Sequence, residues 1–323
     1  MKRLAAAGIV LCLAACADLH STKPARGARA TAAVGEPVLQ GDFDNHEQVW
    51  LAHEAAAGTI PPPHVVVSIE PATQADWSIW HIRLDAVPPI EATWAMRRTA
   101  AQDGRTILTP YRALIAAPAA AANFDAQQWT PLDGCALQGT LAGGALKTQA
   151  DAAGCAAIAP GVGAQAALLP LAVEREGEWL RIRLYADQAR GADAREDTRR
   201  VRWFGGWAAV NGAGPKAAAD SSDWHMDRTL RLGSEGGHYA LKWRDGAASG
   251  YSLTLERLTY RDGNVPVIKL SVVDDSDGHT LAYSWANPEA TRIGINLGWV
   301  QVGLELADFA ATAGEGKPVA GSR

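Results

Sequence analysis

Cysteine, phenylalanine, methionine and charge are all scarce in this chain. Only 4 of 323 residues are cysteine, too few for a disulfide framework to carry the fold. A chain of this size buries roughly three quarters of its unfolded surface, so a hydrophobic core suffices. Charged residues are 20% of the chain, with 30 basic against 35 acidic side chains. That balance supplies no field to hold a phosphate backbone, and nucleic acid is not an expected partner. Beyond the amino terminus no apolar run approaches the roughly 18 residues a membrane helix needs. With 48% hydrophobic residues, a disordered or collagen-like chain is also excluded.

What is present begins with Lys2 and Arg3, an apolar run from Leu4 to Leu13, and then Ala14 and Ala15 before Cys16. This is the pattern of a secretory signal, residues 1–15, too short to span a bilayer. Leu13-Ala14-Ala15-Cys16 resembles the bacterial lipobox. The resemblance implies that Cys16 is acylated and becomes the mature amino terminus, anchoring the protein in a lipid bilayer. Ala17, not aspartate, follows it, which implies sorting to the outer membrane, facing the periplasm. Loss of Lys2 and Arg3 takes the formal charge from −5 to −7. Cys12 leaves with the signal and Cys16 carries lipid, so Cys135 and Cys155 remain in an oxidising compartment that favours a bridge. No C-x-x-C or neighbouring His pair completes a metal site.

Residues 16–38 are small, polar and aperiodic, the composition of a lipidated tether. Leu39, Phe43 and Trp50 have the spacing of one helical face and predict a short helix closed by Gly58 and Pro61-Pro62-Pro63. The period then changes to two. HVVVSIE (64–70), WSIWHIRLD (77–85), EATWAMRR (91–98) and RTILTPYRAL (105–114) read as antiparallel strands. In the second, Trp80, Ile82 and Leu84 share one face, and His81 and Arg83 the other. A helical turn is expected within the alanine-rich 116–129. A hairpin is expected about Ala142-Gly143-Gly144, with further strands at 168–174, 179–185 and 200–210. After GPKAAADSSD, which reads as a linker or long loop, five more strand-like runs follow, with hairpin turns at 261–264 and 276–278. Many short strands at this spacing predict a mainly β protein, a barrel or sandwich.

The common catalytic signatures fail on inspection. His46-Glu47 and His53-Glu54 open like H-E-x-x-H, but Trp50 and Ala57 stand where the second histidine belongs. Asp274, Asp275 and Asp277 do not fit a calcium loop and read as a solvated hairpin turn. Gly161-Val162-Gly163 lies between Pro160 and Pro170, leaving no room for a dinucleotide-binding helix. Ser234 lacks the glycine of a nucleophile elbow. No self-contained catalytic motif remains.

A distributed pattern does. Gly41-Asp42-Phe43-Asp44-Asn45-His46-Glu47-Gln48 resembles the G-x-F-x-N-x-x-Q opening of the CpcT/CpeT phycobiliprotein (chromophore) lyase family. Leu132-Asp133-Gly134-Cys135, Gly154-Cys155 and Arg190-Gly191-Ala192-Asp193 are similar to its later elements, in the same order. The resemblance covers residues 39–212 and leaves 213–323 as a C-terminal β-rich extension. It implies a calycin-type barrel, related to lipocalins, whose cavity holds a bilin, a linear tetrapyrrole, for delivery to a phycobiliprotein cysteine. Phycobiliproteins are cytoplasmic, so an exported chain would not meet that acceptor.

Candidate ligand residues follow, each with a structural alternative. Asn45 and Gln48 line a cavity mouth or hydrogen-bond backbone near the helix start. Trp80 and Trp203 offer stacking faces, and Arg202, with Trp207, a cation and a further ring for a carboxylated conjugated ligand. Cys135 and Cys155 form a structural clip or a thioether site. Three functions compete: an outer-membrane-type lipoprotein binding a small apolar or tetrapyrrole-like ligand, a bilin lyase, and a ligand-free envelope scaffold. The volume of the barrel interior discriminates the first from the last.

Overall fold

The computed structural model describes residues 39–55, 61–114, 121–260 and 265–307. The signal, the tether with Cys16, Gly58, residues 116–120 of the alanine-rich stretch and the 261–264 turn lie outside the described residues.

Eleven strands build the first body: β1 (Gly41–Asp44), β2 (Val65–Pro71), β3 (Trp77–Leu84), β4 (Ile90–Ala100), β5 (Thr106–Ala113), β6 (Trp129–Pro131), β7 (Leu137–Ala142), β8 (Ala145–Ala150), β9 (Pro170–Glu176), β10 (Trp179–Leu184) and β11 (Glu196–Arg200). Ten of them run β4-β3-β2-β1-β11-β10-β9-β8-β7-β5, and β5 pairs back onto β4. The result is the expected closed antiparallel barrel, consistent with a calycin-like architecture. β6 adds a flap on β5. Gly143 and Gly144 take positive φ, 59° and 83°, and turn β7 into β8 as the glycine pair predicts.

Period-two patterning fills the interior. Val65, Val67 and Ile69 on β2, Trp80, Ile82 and Leu84 on β3, and Leu180, Ile182 and Leu184 on β10 point inward and are buried. With Phe43, Trp94 and Met96 they form one continuous core. The other face of β3 is also covered. Ile79 and Trp77 pack on Phe124 and Trp129, so the segment through the 3₁₀ turns Ala121–Asn123 and Ala126–Gln128 lies on the barrel's outer wall.

One barrel end is plugged by α2 (Ala152–Ile158) and the 3₁₀ stretch Ala159–Leu168. Asp151 caps α2 by accepting from the Ala153 and Gly154 N–H groups. Leu168 and Leu169 enter the core, and Trp94 Nε1 donates to the Leu168 carbonyl at 3.0 Å. The Cys135–Cys155 bond fixes α2 to the turn Asp133–Cys135. Gly134 and Gly154 permit that contact: a Cβ on Gly134 would lie 2.8 Å from the Gly154 oxygen.

The opening helix is shorter than its periodicity suggests. Phe43 lies in β1, paired with Val67 and Arg200, and only α1 (His46–His53) is helical. The four- and seven-residue spacing of Leu39, Phe43 and Trp50 arises by coincidence, because Phe43 is drawn into the barrel interior where β1 closes the ring between β2 and β11. The barrel also stops earlier than residue 212. Its last strand ends at Arg200, and β12 (Trp203–Asn211) opens a second body.

That body is a sandwich completed by β13 (Trp224–Gly233), β14 (Glu235–Lys242), β15 (Ala248–Tyr260), β16 (Val265–Asp274), β17 (Thr280–Ala286), β18 (Arg292–Asn296) and β19 (Val300–Leu306). Its sheets run β13-β12-β19-β18 and β14-β15-β16-β17, around Phe204, Leu232, Leu253, Leu270, Val302 and their neighbours. GPKAAADSSD falls in the β12–β13 connection, a loop inside this body. The β16–β17 turn is the predicted one: Asp274 Oδ1 accepts from Ser276 N and Oγ, and Gly278 has φ 73°. Among the described residues no helix is long and apolar enough to cross a membrane.

Candidate functional site

Asn45 stands where β1 passes into α1, and its amide is fully engaged. Nδ2 reaches Glu196 Oε2 at 2.8 Å, the Pro63 carbonyl at 2.9 Å and Gln48 Oε1 at 3.0 Å, while Oδ1 accepts from Val65 N at 2.7 Å. Gln48 Oε1 also accepts from Asp197 N, and its Nε2 donates to the Arg195 carbonyl. Behind Asn45, Glu196 is fully buried and bonded to Arg190, which also holds Asp187; Asp187 accepts from Leu184 N at 2.7 Å. Burial, with the neighbouring Asp187 charge, pushes the Glu196 carboxyl upward, and Arg190 opposes the shift. Asn45 and Arg190, from the two ends of the family-like pattern, therefore meet on one buried acid, and Gln48 braces Asn45 beside it. Glu196 carries no sequence signal, since REDTRR reads as an ordinary solvated charge run.

A second polar cluster joins barrel and sandwich. Arg199 on β11 forms two parallel bonds to Glu235 on β14, Nε to Oε1 at 3.0 Å and Nη2 to Oε2 at 2.7 Å. Its Nη1 donates to Glu47 of α1 at 2.7 Å, and the guanidinium lies over the Trp179 ring. Burial raises the Glu235 carboxyl to about 7, against the pull of Arg199. Around this seam His46 contacts Glu256 at 3.2 Å, and Arg257 binds Glu178 at 2.7 Å. Gly236 must be glycine there, with φ 77° and a Cβ position only 2.5 Å from His46 Nδ1.

His64 is clamped between Asp85 at 2.7 Å on Nδ1 and Asp44 at 2.8 Å on Nε2. Burial works against its charge, but hydrogen bonds and charge from Asp44 and Asp85 outweigh it and raise the imidazole to about 9. An imidazolium donating from both nitrogens has no lone pair to accept a proton. This arrangement ties the chain before β2 to Asp44 at the end of β1 and to Asp85 after β3.

The aromatic candidates are not gathered. Trp80 is buried inside the barrel, with its Nε1 on Ser78 Oγ. Trp203 lies at the start of the sandwich, donating to Asp42 Oδ2 at 2.7 Å with Arg231 over its ring. Arg202 binds the carbonyls of Pro288 and Ala290 and covers Phe204. Trp207 packs over Gly303, where a Cβ would come 2.9 Å from the indole Nε1. Trp80 thus belongs to one core, and Arg202, Trp203 and Trp207 to another strand system.

The surface among the described residues includes shallow recesses. One, of about 480 Å³, lies at the barrel end between Gly163–Ala167 and Tyr185–Ala189. Another, of about 280 Å³, is bordered by Gly212–Lys216, Trp243 and Tyr251. None of the six candidate ligand residues lines either. No group of three or more His, Cys, Asp or Glu side chains among the described residues could hold a metal. No family model, curated protein or solved structure matches the chain.

Proposed function

We propose that this chain is an exported, lipid-anchored envelope protein in which a filled barrel and a sandwich, joined by a buried ionic seam, form a rigid scaffold for protein contacts. The observation that carries the reading is the barrel interior. Phe43, Trp80 and Trp94, each 0% exposed, fill it together with the aliphatic side chains of β2, β3 and β10. A linear tetrapyrrole could enter only by displacing several of these rings, each contributing about 3–5 kcal/mol to stability.

The motif residues point the same way. Asn45, Gln48 and Arg190 are engaged in wall contacts, and Cys135 is bonded to Cys155, so the pattern resembling a lyase supports a fold more than bilin chemistry. Retention at the membrane would rest on Cys16, where two or three acyl chains contribute roughly 0.8 kcal/mol per buried methylene.

Titration with biliverdin and with a long-chain fatty acid, followed by tryptophan fluorescence, tests the barrel reading. No saturable quenching is expected, and one-to-one binding of either compound inside the barrel would overturn it. A second reading, binding of a small apolar ligand, is favoured by the recess at the barrel end, where Ala166, Ala167 and Tyr185 offer an apolar lining.

A further inference from the structure

The barrel closes on itself, but the sandwich has four outer strands, and three of them carry features that discourage edge pairing. β13 bears Asp227, Arg228 and Arg231. β14 has Glu235, Lys242 and two register irregularities. β18 is only five residues long and begins with Arg292.

β17 differs. Its sequence, Thr-Leu-Ala-Tyr-Ser-Trp-Ala, contains neither charge nor proline, and among the described residues it pairs with β16 alone. The one irregularity, a register shift at its start, leaves Ala282–Ala286 regular. Exposed and half-buried residues alternate along it, with Leu281 39%, Tyr283 54% and Trp285 53% exposed. The two rings stack at 5.1 Å, and the row continues through Tyr260, 5.5 Å from Trp285, to Trp50 of α1, a further 5.6 Å away.

We infer that β17 is a self-association edge, and that two copies of the chain pair β17 to β17 antiparallel about a two-fold axis at Ser284. The regular stretch is centred on that residue. This register sets Tyr283 of each copy opposite Trp285 of the second copy on one face, and small alanines opposite one another on the other face. Aromatic pairs opposite each other across two strands are a favourable arrangement, and no like charges meet. The four-stranded sheet of each copy thereby becomes half of an eight-stranded one. An isologous contact of this kind needs the same patch on both partners, which the near-symmetric Tyr-Ser-Trp pattern supplies. The inference concerns the sandwich and stands independently of Cys16 acylation or a filled barrel.

The test uses the full chain in detergent. Residues opposite each other in an antiparallel pair have Cα atoms about 4.5–5.5 Å apart, within disulfide range. Ser284→Cys should therefore form a covalent dimer under mild oxidation. Val265→Cys, at the exposed start of β16 away from the axis, should cross-link no more than the wild type. In sedimentation at micromolar concentration the wild type should be dimeric, and Trp285→Lys should weaken the dimer at least about tenfold, or 1.4 kcal/mol, while its monomer still unfolds cooperatively. A monomeric wild type, equal cross-linking at both cysteines, or a Trp285→Lys dimer of undiminished affinity would each overturn the inference, as would a complex in which a different protein occupies β17.

Discussion

Asn45 and Glu196, 151 positions apart in the chain, are joined by a 2.8 Å hydrogen bond inside the barrel wall. The bond links the strand that opens the barrel to the strand that completes it. Both partners are buried, so the contact is a closure device rather than a surface feature.

Replacing Asn45 tests that role. Asn45→Ala strips partners from Glu196, the Pro63 carbonyl and Val65 N at once. Each unsatisfied buried group costs about 1–3 kcal/mol, so a loss of about 3 kcal/mol or more is expected in denaturant unfolding. An unchanged midpoint would show that the amide is dispensable.

Arg199→Met leaves Glu47 and Glu235 facing each other without their cation. Breaking a buried pair from one side costs about 3–5 kcal/mol. The triple variant with Glu47→Gln and Glu235→Gln should recover most of the loss, because the stranded Glu47 charge and the Glu235 carboxyl that must otherwise take up a proton are then both gone. Equal unfolding midpoints for single and triple variants would refute the charge argument.

His64 makes stability depend on alkaline pH. Its folded value, about 9, is raised above the ordinary 6.5. The stabilisation is therefore complete below 6.5 and is lost as pH climbs from there through about 9. The decline should amount to about 2 kcal/mol after allowance for partial exposure. Unfolding by urea at pH 6.5 and 9.5 should show it in the wild type, and His64→Gln should flatten it; a parallel slope in the variant would contradict the assignment.

Trp80→Ala should cost about 3–5 kcal/mol and open an apolar void in the barrel. Such voids stay dry and accept small apolar compounds. The variant should gain benzene-induced thermal stabilisation that the wild type lacks. Equal stabilisation of both proteins would mean that the native interior already has space.

The elements legible in the sequence were those set by local physics. Alternation in WSIWHIRLD placed Trp80, Ile82 and Leu84 on the buried face, and the glycine pair after Ala142 gave its hairpin. The bridge expected between Cys135 and Cys155, the two cysteines beyond the amino-terminal segment, is present. Phe43 was misplaced into a helix because four-residue spacing carries no information about a partner strand at Arg200. Glu196 and Glu235 were invisible for a related reason. An acid is read as exposed until the arginine that buries it is known, and Arg199 reaches Glu235 from a different sheet. The barrel-to-sandwich crossing was likewise hidden, since VRWFGGW is an equally good strand in either body.

The pairing of β1 with β11, Phe43 opposite Arg200, separates the order of synthesis from the order of assembly. A chain threaded amino end first delivers β1 long before its second neighbour exists. Until Arg200 arrives, β1 keeps one side bare, and the ring can only be an open, twisted ribbon with interior leucines and tryptophans facing water. The pairing of β1 with β11 is thus a long-range closure of high contact order, of the kind that forms slowly relative to local hairpins. During that interval the apolar faces of the open ribbon stay uncovered, an exposure that ends when the last barrel strand pairs beside the first.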